Sequence, residues 1–548
     1  LYEGNGAGQR VGQFQPFDNA FTVAKSALFD DGDTELTRTP AGDGNLDTWT
    51  FSTWIKRCNN GDYGVMFAAG DSAYNQMSIY YQGTGEIRFS LYAGASWVAR
   101  LITTQKWLDT SRWYNIVCAW DSGNGTEGDR MRVYVDGVRI TSFGTEVYPS
   151  SGLDGFVNDA SYLHQIGNDT DALANGMDIY LAQSVLLDGT AVANADNFGQ
   201  TDTSTNRWIP KEITGLTMGT NGFFMDYAAS GVNLGDDAAG SIDYANNGGI
   251  QTTDSPTTNL SVLNPSDSTG GTLSIGNTKV VGITGWDETR TTIPVSSGKW
   301  YWEVVANTIA TSSWATGILE ANKPLSSGDS WWNSPARVAG SADPYGYEQS
   351  NKRVATINGT GSFVAYGNAG VISASDVIGV ALDLDNGAIW FSKADSWIDG
   401  DGTDSSGTVK TEIEAGTTSS SAFASLSGAF NPAISTNSTS VSGTYRFASG
   451  DWTGSAPTGF SALTQDALTS SDQFISAFSW IKNRDATDNH MLFDRVRGPY
   501  KDIHSNDMVD EATNVNTLQS FLAGGAQVGN DVEVNTANES YVLWNWMM

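Results

Sequence analysis

The stretch DVIGVALDLDNGAIWFSK, running from Asp376 to Lys393, decides the fold. Two apolar runs flank Asp385-Asn386-Gly387. Asn-Gly between alternating apolar residues predicts a tight hairpin, because both central residues tolerate positive φ. In the first arm Val377, Gly379, Ala381 and Asp383 point one way, while Ile378, Val380, Leu382 and Leu384 point the other. Period two with one greasy face predicts a sheet packed on a second sheet. The same signature recurs in MRVYVDGVRI, residues 131–140, with Asp136-Gly137 at the turn. One hairpin type in two distant regions implies one architecture used twice.

A chain of 548 residues exceeds a single core and predicts about two to four domains. Aromatic and β-branched runs are broken by clusters rich in Gly, Asn, Asp and Ser, and 61 glycines stand against 13 prolines. That pattern reads as short strands and tight turns. No long, strongly periodic amphipathic helix interrupts it. The expected class is all-β: tandem antiparallel β-sandwiches of jelly-roll type, followed by a third, partial β-rich segment.

Acidic residues number 61 against 29 basic ones, a formal charge of −32. Such a field repels phosphate backbones and anionic headgroups, which argues against nucleic-acid partners and membrane-surface docking, and it keeps a large protein dispersed. No run approaches the roughly 18 apolar residues of a membrane span. The two cysteines, Cys58 and Cys118, match neither a disulfide scaffold nor a metal spacing. Cys118 alternates with Ile116 and Trp120, as a small core hydrophobe would. A Cys58–Cys118 bridge between neighbouring strands is the alternative. The opening LYEGNGAGQR has neither an initiator Met nor a signal-peptide core, so the start was processed away or the chain is a piece of something longer.

Residues 1–25 read as a Gly/Asn/Gln-rich arm. Strand-like pieces follow at 26–29, 48–57, 64–69, 77–81, 86–93, 113–121, 130–140, 161–167 and 177–189, a sandwich count over 26–200. Residues 201–272 read as a connector, 273–450 as a second sandwich and 451–548 as the last segment. The echo of FSTWIK (51–56) in FSWIK (478–482) suggests a third sandwich-like unit, whose final aromatic strand would need partner strands from elsewhere in the chain or from another subunit.

Phe51–Lys56, Trp113–Val117, Val133–Gly137 and Asp178–Gln183, in that order, resemble the concanavalin A-like, laminin-G-type jelly roll. GKWYWEV (298–304), YGY (345–347) and Asp376–Lys393 resemble the SPRY (B30.2-like) domain, with a departure after Lys393, where Ala-Asp-Ser-Trp stands in place of the Asn-Gly common in that family. The whole order, closing on WIKNRDATDNHMLFDRVRG (480–498), resembles virion structural or appendage proteins of marine tailed phages. That resemblance implies a non-enzymatic tail-fibre, head-fibre or decoration protein on the virion surface. Its partners would be other virion proteins, sister copies in a homo-oligomer, and a host-surface glycan. A virion polysaccharide depolymerase and a secreted cell-surface adhesin are the competing readings.

Retaining glycoside hydrolysis needs two carboxyls about 5–5.5 Å apart. The nearest spacings, Glu412/Glu414 and Asp383/Asp385, lack a third acid, and Asp385 belongs to a turn. His164, His490 and His504 each stand alone in sequence, which leaves a nucleophile without an obvious base. The best cofactor candidate is calcium at Asp399, Asp401 and Thr403, which alternate oxygens like the start of a calcium loop, but Asp404 replaces the sixth-position Gly and Lys410 the twelfth-position Glu. The laminin-G resemblance adds Asp121 and Asp169 as rim acids. Most of the 19 tryptophans fall in strand pattern, whereas Trp97, Trp331, Trp332 and Trp397 sit in polar loops and are the candidate ligand contacts.

Overall fold

A computed structural model describes the chain apart from residues 1–20, 31–33, 62, 73, 170–177, 203–206, 311–312, 322–324, 326–330, 332–341, 351, 358–359, 368, 401–404, 469–477, 495–496, 523–524, 538 and 547–548. The expected class holds: the described residues form antiparallel sheets stacked as sandwiches.

In the first sandwich, one sheet runs in the order Val138–Arg139, Met131–Val135, Tyr114–Asp121, Thr48–Arg57, Ile179–Asp188, Ser26–Phe29, Ile250–Thr252. The facing sheet runs Phe143–Val147, Ser96–Thr103, Ile87–Ala93, Asn75–Tyr81, Gly64–Ser72, Leu163–Ile166, Glu35–Arg38, Ala245–Asn247. Side chains from both sheets meet in one core, where Phe51 stacks on Phe67 at 4.7 Å and Phe89 meets the edge of Trp49 at 5.6 Å. The Asp136-Gly137 hairpin is as expected: Val135 pairs with Val138, and both turn residues have positive φ, +48° and +81°.

Residues 201–272 do more than connect. Phe223–Met225, Ala245–Asn247 and Ile250–Thr252 add strands to the first sandwich, and Leu263–Ser268 opens the second. The polar composition that suggested a loop reflects edge strands, whose outer faces meet water.

The second sandwich pairs two sheets. One runs Leu263–Ser268, Asp287–Thr291, Phe430–Thr436, Trp314–Glu320, Pro344–Glu348, Lys352–Ile357, Thr360–Ala365. The other runs Thr272–Ser274, Lys279–Val281, Ser442–Arg446, Lys299–Thr308, Val377–Asp383, Ala388–Lys393, Ser396–Trp397. The deciding hairpin is present with a wider turn than expected: Asp383 pairs with Ala388, and Gly387 takes positive φ (+66°) whereas Asn386 does not. The cause is Asp383, whose carboxylate accepts from Asn386 N (3.0 Å) and Nδ2 (2.8 Å) and pairs with Lys299 Nζ at 2.9 Å. Nor is one face left wet. Ile378, Val380 and Leu382 face the core, while Ala381, Ala388 and Trp390 are buried under Val409 and Ile413 of the helix Ser406–Ala415. A small residue at 381 lets that helix approach.

The two sandwiches are joined by buried polar contacts. Lys56 Nζ reaches Asp254 Oδ2 at 2.8 Å and Asn259 Oδ1 at 3.0 Å, while Trp113 Nε1 and Leu260 N both donate to Asp254 Oδ1. The hairpin loop at Ile275, Gly276 and Asn277, all at positive φ, docks on the first sandwich through Tyr180 Oη donating to Gly276 O at 2.7 Å.

The last segment builds a sheet in the order Ala512–Thr513, Lys501–His504, Met491–Asp494, Phe478–Asn483, Tyr541–Trp546, with a small core around Ile481, Met491 and Phe493. Its final strand finds one partner inside the segment, Trp480 opposite Trp544. The far edge has no strand neighbour among the described residues, and Leu543, Trp544 and Trp546 are exposed there.

Candidate functional site

Three adjacent strands of the first sandwich, Asn75–Tyr81, Ile87–Ala93 and Ser96–Thr103, contain no acidic residue in a chain that has 61. Met77, Ile79, Ile87, Phe89, Leu91, Ala99 and Leu101 turn into the core. Period two then turns Tyr80, Arg88, Ser90, Tyr92 and Arg100 outward. From Arg100 the same alternation would send Trp97 inward. A register shift reverses this: Leu91 pairs with Ala99, but Tyr92 pairs with Trp97, so Val98 is the extra residue. Val98 packs toward the core and Trp97 stands on the outer face. The strands are joined by a two-residue turn, Gly94-Ala95, with φ +57° and +62°.

The outcome is a cluster of aromatic rings and guanidinium groups facing outward. Arg88 lies 3.8 Å and Arg100 4.8 Å from the Trp97 ring centroid. Tyr92 packs on Trp97 at 4.4 Å; Arg88 also lies 4.9 Å from Tyr80, and Tyr63 meets the edge of Tyr80 at 5.7 Å. Trp97 keeps 39% of its surface exposed and Tyr63 38%. Arg88 Nε donates to Ser90 Oγ at 3.0 Å, whereas the buried Nε of Arg100 has no acceptor. Burial lowers the Arg88 pKa from its usual value, Arg100 lowers it further, and Tyr80 and Asp169 oppose them. Burial pushes the Tyr80 phenol up to about 12, so it stays neutral at physiological pH.

Several cations elsewhere on this sandwich carry an ion pair, although Arg38 and Arg130 have none among the described residues. Arg112 pairs with Asp136 at 2.6 Å, Arg139 with Asp129 at 2.6 Å, and Lys106 with Glu86 at 3.3 Å. Neither Arg88 nor Arg100 has a carboxylate partner among the described residues. Two positive charges held against one exposed indole can bind a flat, partly apolar ligand face and an anion beside it. A concavity of about 290 Å³ lies elsewhere, where Trp107, Arg112, Tyr114 and Val138 face Gly498, Pro499 and Phe521 of the last segment. There Arg112 and Lys106 are the ion-paired cations just named.

Of the residues singled out in the sequence, Trp97 lies on a strand and not in a loop, yet it is exposed. Trp331 and Trp397 are fully buried, Trp331 among Ala315, Leu319 and Ala433, and Trp397 against Tyr301 at 6.2 Å. They are core residues and cannot touch a ligand. Polar neighbours in sequence masked their role. Trp332, Asp401 and Thr403 lie outside the described residues, and Asp399 is buried. Among the described residues no three His, Cys, Asp or Glu side chains cluster as metal ligands. Glu412 and Glu414 fall on the helix Ser406–Ala415, where residues two apart do not face each other. Asp121 pairs with Arg132 at 3.5 Å. His164 is buried, its Nε2 accepting from Asn158 N at 2.8 Å; His490 Nδ1 accepts from Trp480 Nε1 at 3.0 Å. Both cysteines are free and buried, and no bridge joins them. Sequence reading passed over Arg88, Arg100 and Tyr92. The signal was available in IRFSLYA, where Arg, Ser and Tyr share one face, but the bulge that adds Trp97 to that face leaves no mark in sequence.

Residues 30–180 are similar to the concanavalin A-like lectin/glucanases superfamily, and residues 457–548 match a domain of unknown function (DUF7483). No curated protein matches the chain. Among solved structures, the SPRY domain of human HERC1 is 12% identical, covering 33% of this chain and 96% of its own, with a TM-score of 0.24. Domains LG4-5 of the mouse laminin alpha1 chain are 9% identical, covering 78% and 88%, with a TM-score of 0.28. The carbohydrate binding module CBM66 from Bacillus subtilis is 8% identical, covering 33% and 90%, with a TM-score of 0.22. The concanavalin A-like match falls on the first sandwich, and the second is likewise built of two facing antiparallel sheets. No helix among the described residues is long and apolar enough to cross a membrane.

Proposed function

We propose that this chain is a non-enzymatic surface or appendage protein of a phage virion, and that its first sandwich grips a host-surface glycan at Trp97. The observation that carries the glycan contact is the exposed indole braced by Arg88, Arg100 and Tyr92 on an outward sheet face. An indole face stacks on the apolar face of a sugar ring, and the bracing fixes its rotamer before the ligand arrives, which reduces the entropy cost of binding. The lectin/glucanase match over 30–180 fits a binding role. The carboxylates that spacing offered for hydrolysis have structural work: Asp383 holds Lys299 and Asn386, and Glu414 accepts from Thr458 N at 2.9 Å. The virion setting, with other virion proteins and sister copies as partners, rests on the order of modules in the sequence.

The test is the full chain on a glycan array, with Trp97→Ala beside it. Wild type should retain a defined set of glycans, and the variant should lose about tenfold or more in affinity, the loss of one stacking contact at about 1.4 kcal/mol. Retention of no glycan by the wild type ends the reading. Imaging of labelled chain on intact particles tests the virion setting; label absent from the particle surface overturns that part.

A further inference from the structure

We infer that the Trp97 face selects an anionic glycan, one that bears a sulfate ester or a carboxylate beside the sugar face that stacks on the indole. The inference rests on the glycan reading above and names the ligand class of that same site. Its first support is an imbalance of charge. Arg88 and Arg100 stand against one ring with no carboxylate partner among the described residues, in a protein of net charge −32. Folding has brought two like charges together with no carboxylate at ion-pair distance; Asp169, which raises the Arg88 pKa, acts from farther away. The strands beneath them, Asn75–Tyr81, Ile87–Ala93 and Ser96–Thr103, offer no Asp or Glu.

The second support is an unmet donor. Arg100 makes no hydrogen bond to any described residue, and its Nε is buried. That Nε is closed to a ligand, but no described residue holds the terminal nitrogens of Arg100, and an oxyanion beside Trp97 would be their acceptor. Guanidinium groups match planar and tetrahedral oxyanions with two parallel donors each, so carboxylate and sulfate are both suitable and a neutral hydroxyl is the poorer partner. The neutral phenol of Tyr80 adds no competing negative charge on that face.

The protein's overall charge sharpens the test, because a chain of −32 has no general attraction for polyanions. Full-length protein is titrated against dextran sulfate and unmodified dextran, and against polygalacturonate and its methyl ester. The expected result is at least about tenfold tighter binding to a charged polymer than to its neutral parent. That preference should vanish in Arg88→Gln/Arg100→Gln and return in Arg88→Lys/Arg100→Lys in part, since lysine keeps charge but loses the paired geometry. Trp97→Ala should weaken charged and neutral ligands alike. Sulfate preference over carboxylate, or the reverse, identifies which oxyanion is read. Equal binding of charged and neutral polymers, or an unchanged preference in the double Gln variant, overturns the anion inference while leaving the glycan reading intact. Failure of every polymer and of the glycan array overturns both. Hydrogen-exchange protection of the Ile87–Ala93 strand, compared between wild type and variants, keeps misfolding from passing as lost binding.

Discussion

Asp254→Ala removes the acceptor at the centre of the junction between the sandwiches. Lys56 and Asp254 are each 1% exposed and 2.8 Å apart. The substitution leaves a buried ammonium with two neutral acceptors, Asn259 Oδ1 at 3.0 Å and Leu260 O at 3.3 Å, and takes the acceptor from Trp113 Nε1 and Leu260 N. Breaking one side of a buried pair costs about 3–5 kcal/mol, most of it the burden of the stranded charge. The Arg139–Asp129 pair is shorter, 2.6 Å, but its side chains are 40% and 34% exposed, so Asp129→Ala should cost about 0–1 kcal/mol. Burial and not distance therefore sets the order of the two losses. A chain of several domains does not unfold in one step, so the readout is native-state hydrogen exchange of Thr48–Arg57 and Ile179–Asp188. Replacing both partners, Lys56→Met with Asp254→Leu, should recover most of the loss because no charge is then left buried. Equal destabilisation by Asp254→Ala and Asp129→Ala, within about 1 kcal/mol, would refute the reasoning.

Burial lowers the His164 pKa from 6.5 to about 4, so folded protein binds fewer protons there than unfolded protein. The stabilising contribution is complete above pH 6.5 and is lost as pH falls toward 4, about 2 kcal/mol by pH 5; pH-dependent denaturation should show this slope in wild type and not in His164→Gln. Trp331→Ala should destabilise the second sandwich by about 3–5 kcal/mol, read by native-state hydrogen exchange of Trp314–Glu320, while leaving glycan affinity unchanged, the opposite of Trp97→Ala. Gly276→Ala places a Cβ 1.9 Å from Tyr180 Oη at φ +61°, so the loop must leave its dock; faster proteolytic separation of the two sandwiches, with each sandwich still folded, is the expected result.

Alternation carried most of the fold. The strands at 26–29 and 48–57 could be read to the residue because apolar, aromatic and β-branched residues dominate both, although Ser26, Ser52, Lys56 and Arg57 are buried with them. What alternation missed has a common cause. Glu35–Arg38, Phe143–Val147 and Ala245–Asn247 lie at or near the edge of their sheet, one side wet, and their polar sequences resemble loops. The helix Ser406–Ala415 was also illegible: it is short, carries two buried residues, Val409 and Ile413, and opens from an Asp/Ser/Gly-rich run. Loop tryptophans failed as a guide for a related reason. Trp331 and Trp397 have polar neighbours in sequence but apolar neighbours in space, and indole burial follows the latter.

The site itself depends on where acids are absent, a property that no motif records. At about 0.15 M salt a charge is felt over about 8 Å, so the −32 spread over the whole molecule reaches the Trp97 face only weakly. Within that radius Arg88 and Arg100 act together against Asp169, whose charge also reaches Arg88, and the three strands beneath them add no acid. The two length scales respond to salt in opposite ways. Added salt screens the attraction between the arginines and an anionic ligand, and it also screens the repulsion between that ligand and the rest of the protein. If the local contact governs, dextran sulfate affinity falls steadily as salt rises. If the global field governs, affinity rises first, because repulsion is long-ranged and is screened at lower salt than a contact between partly buried groups. A rise on going from about 20 to 150 mM salt would therefore mean that the arginines do not direct binding, whatever the affinity at any one condition.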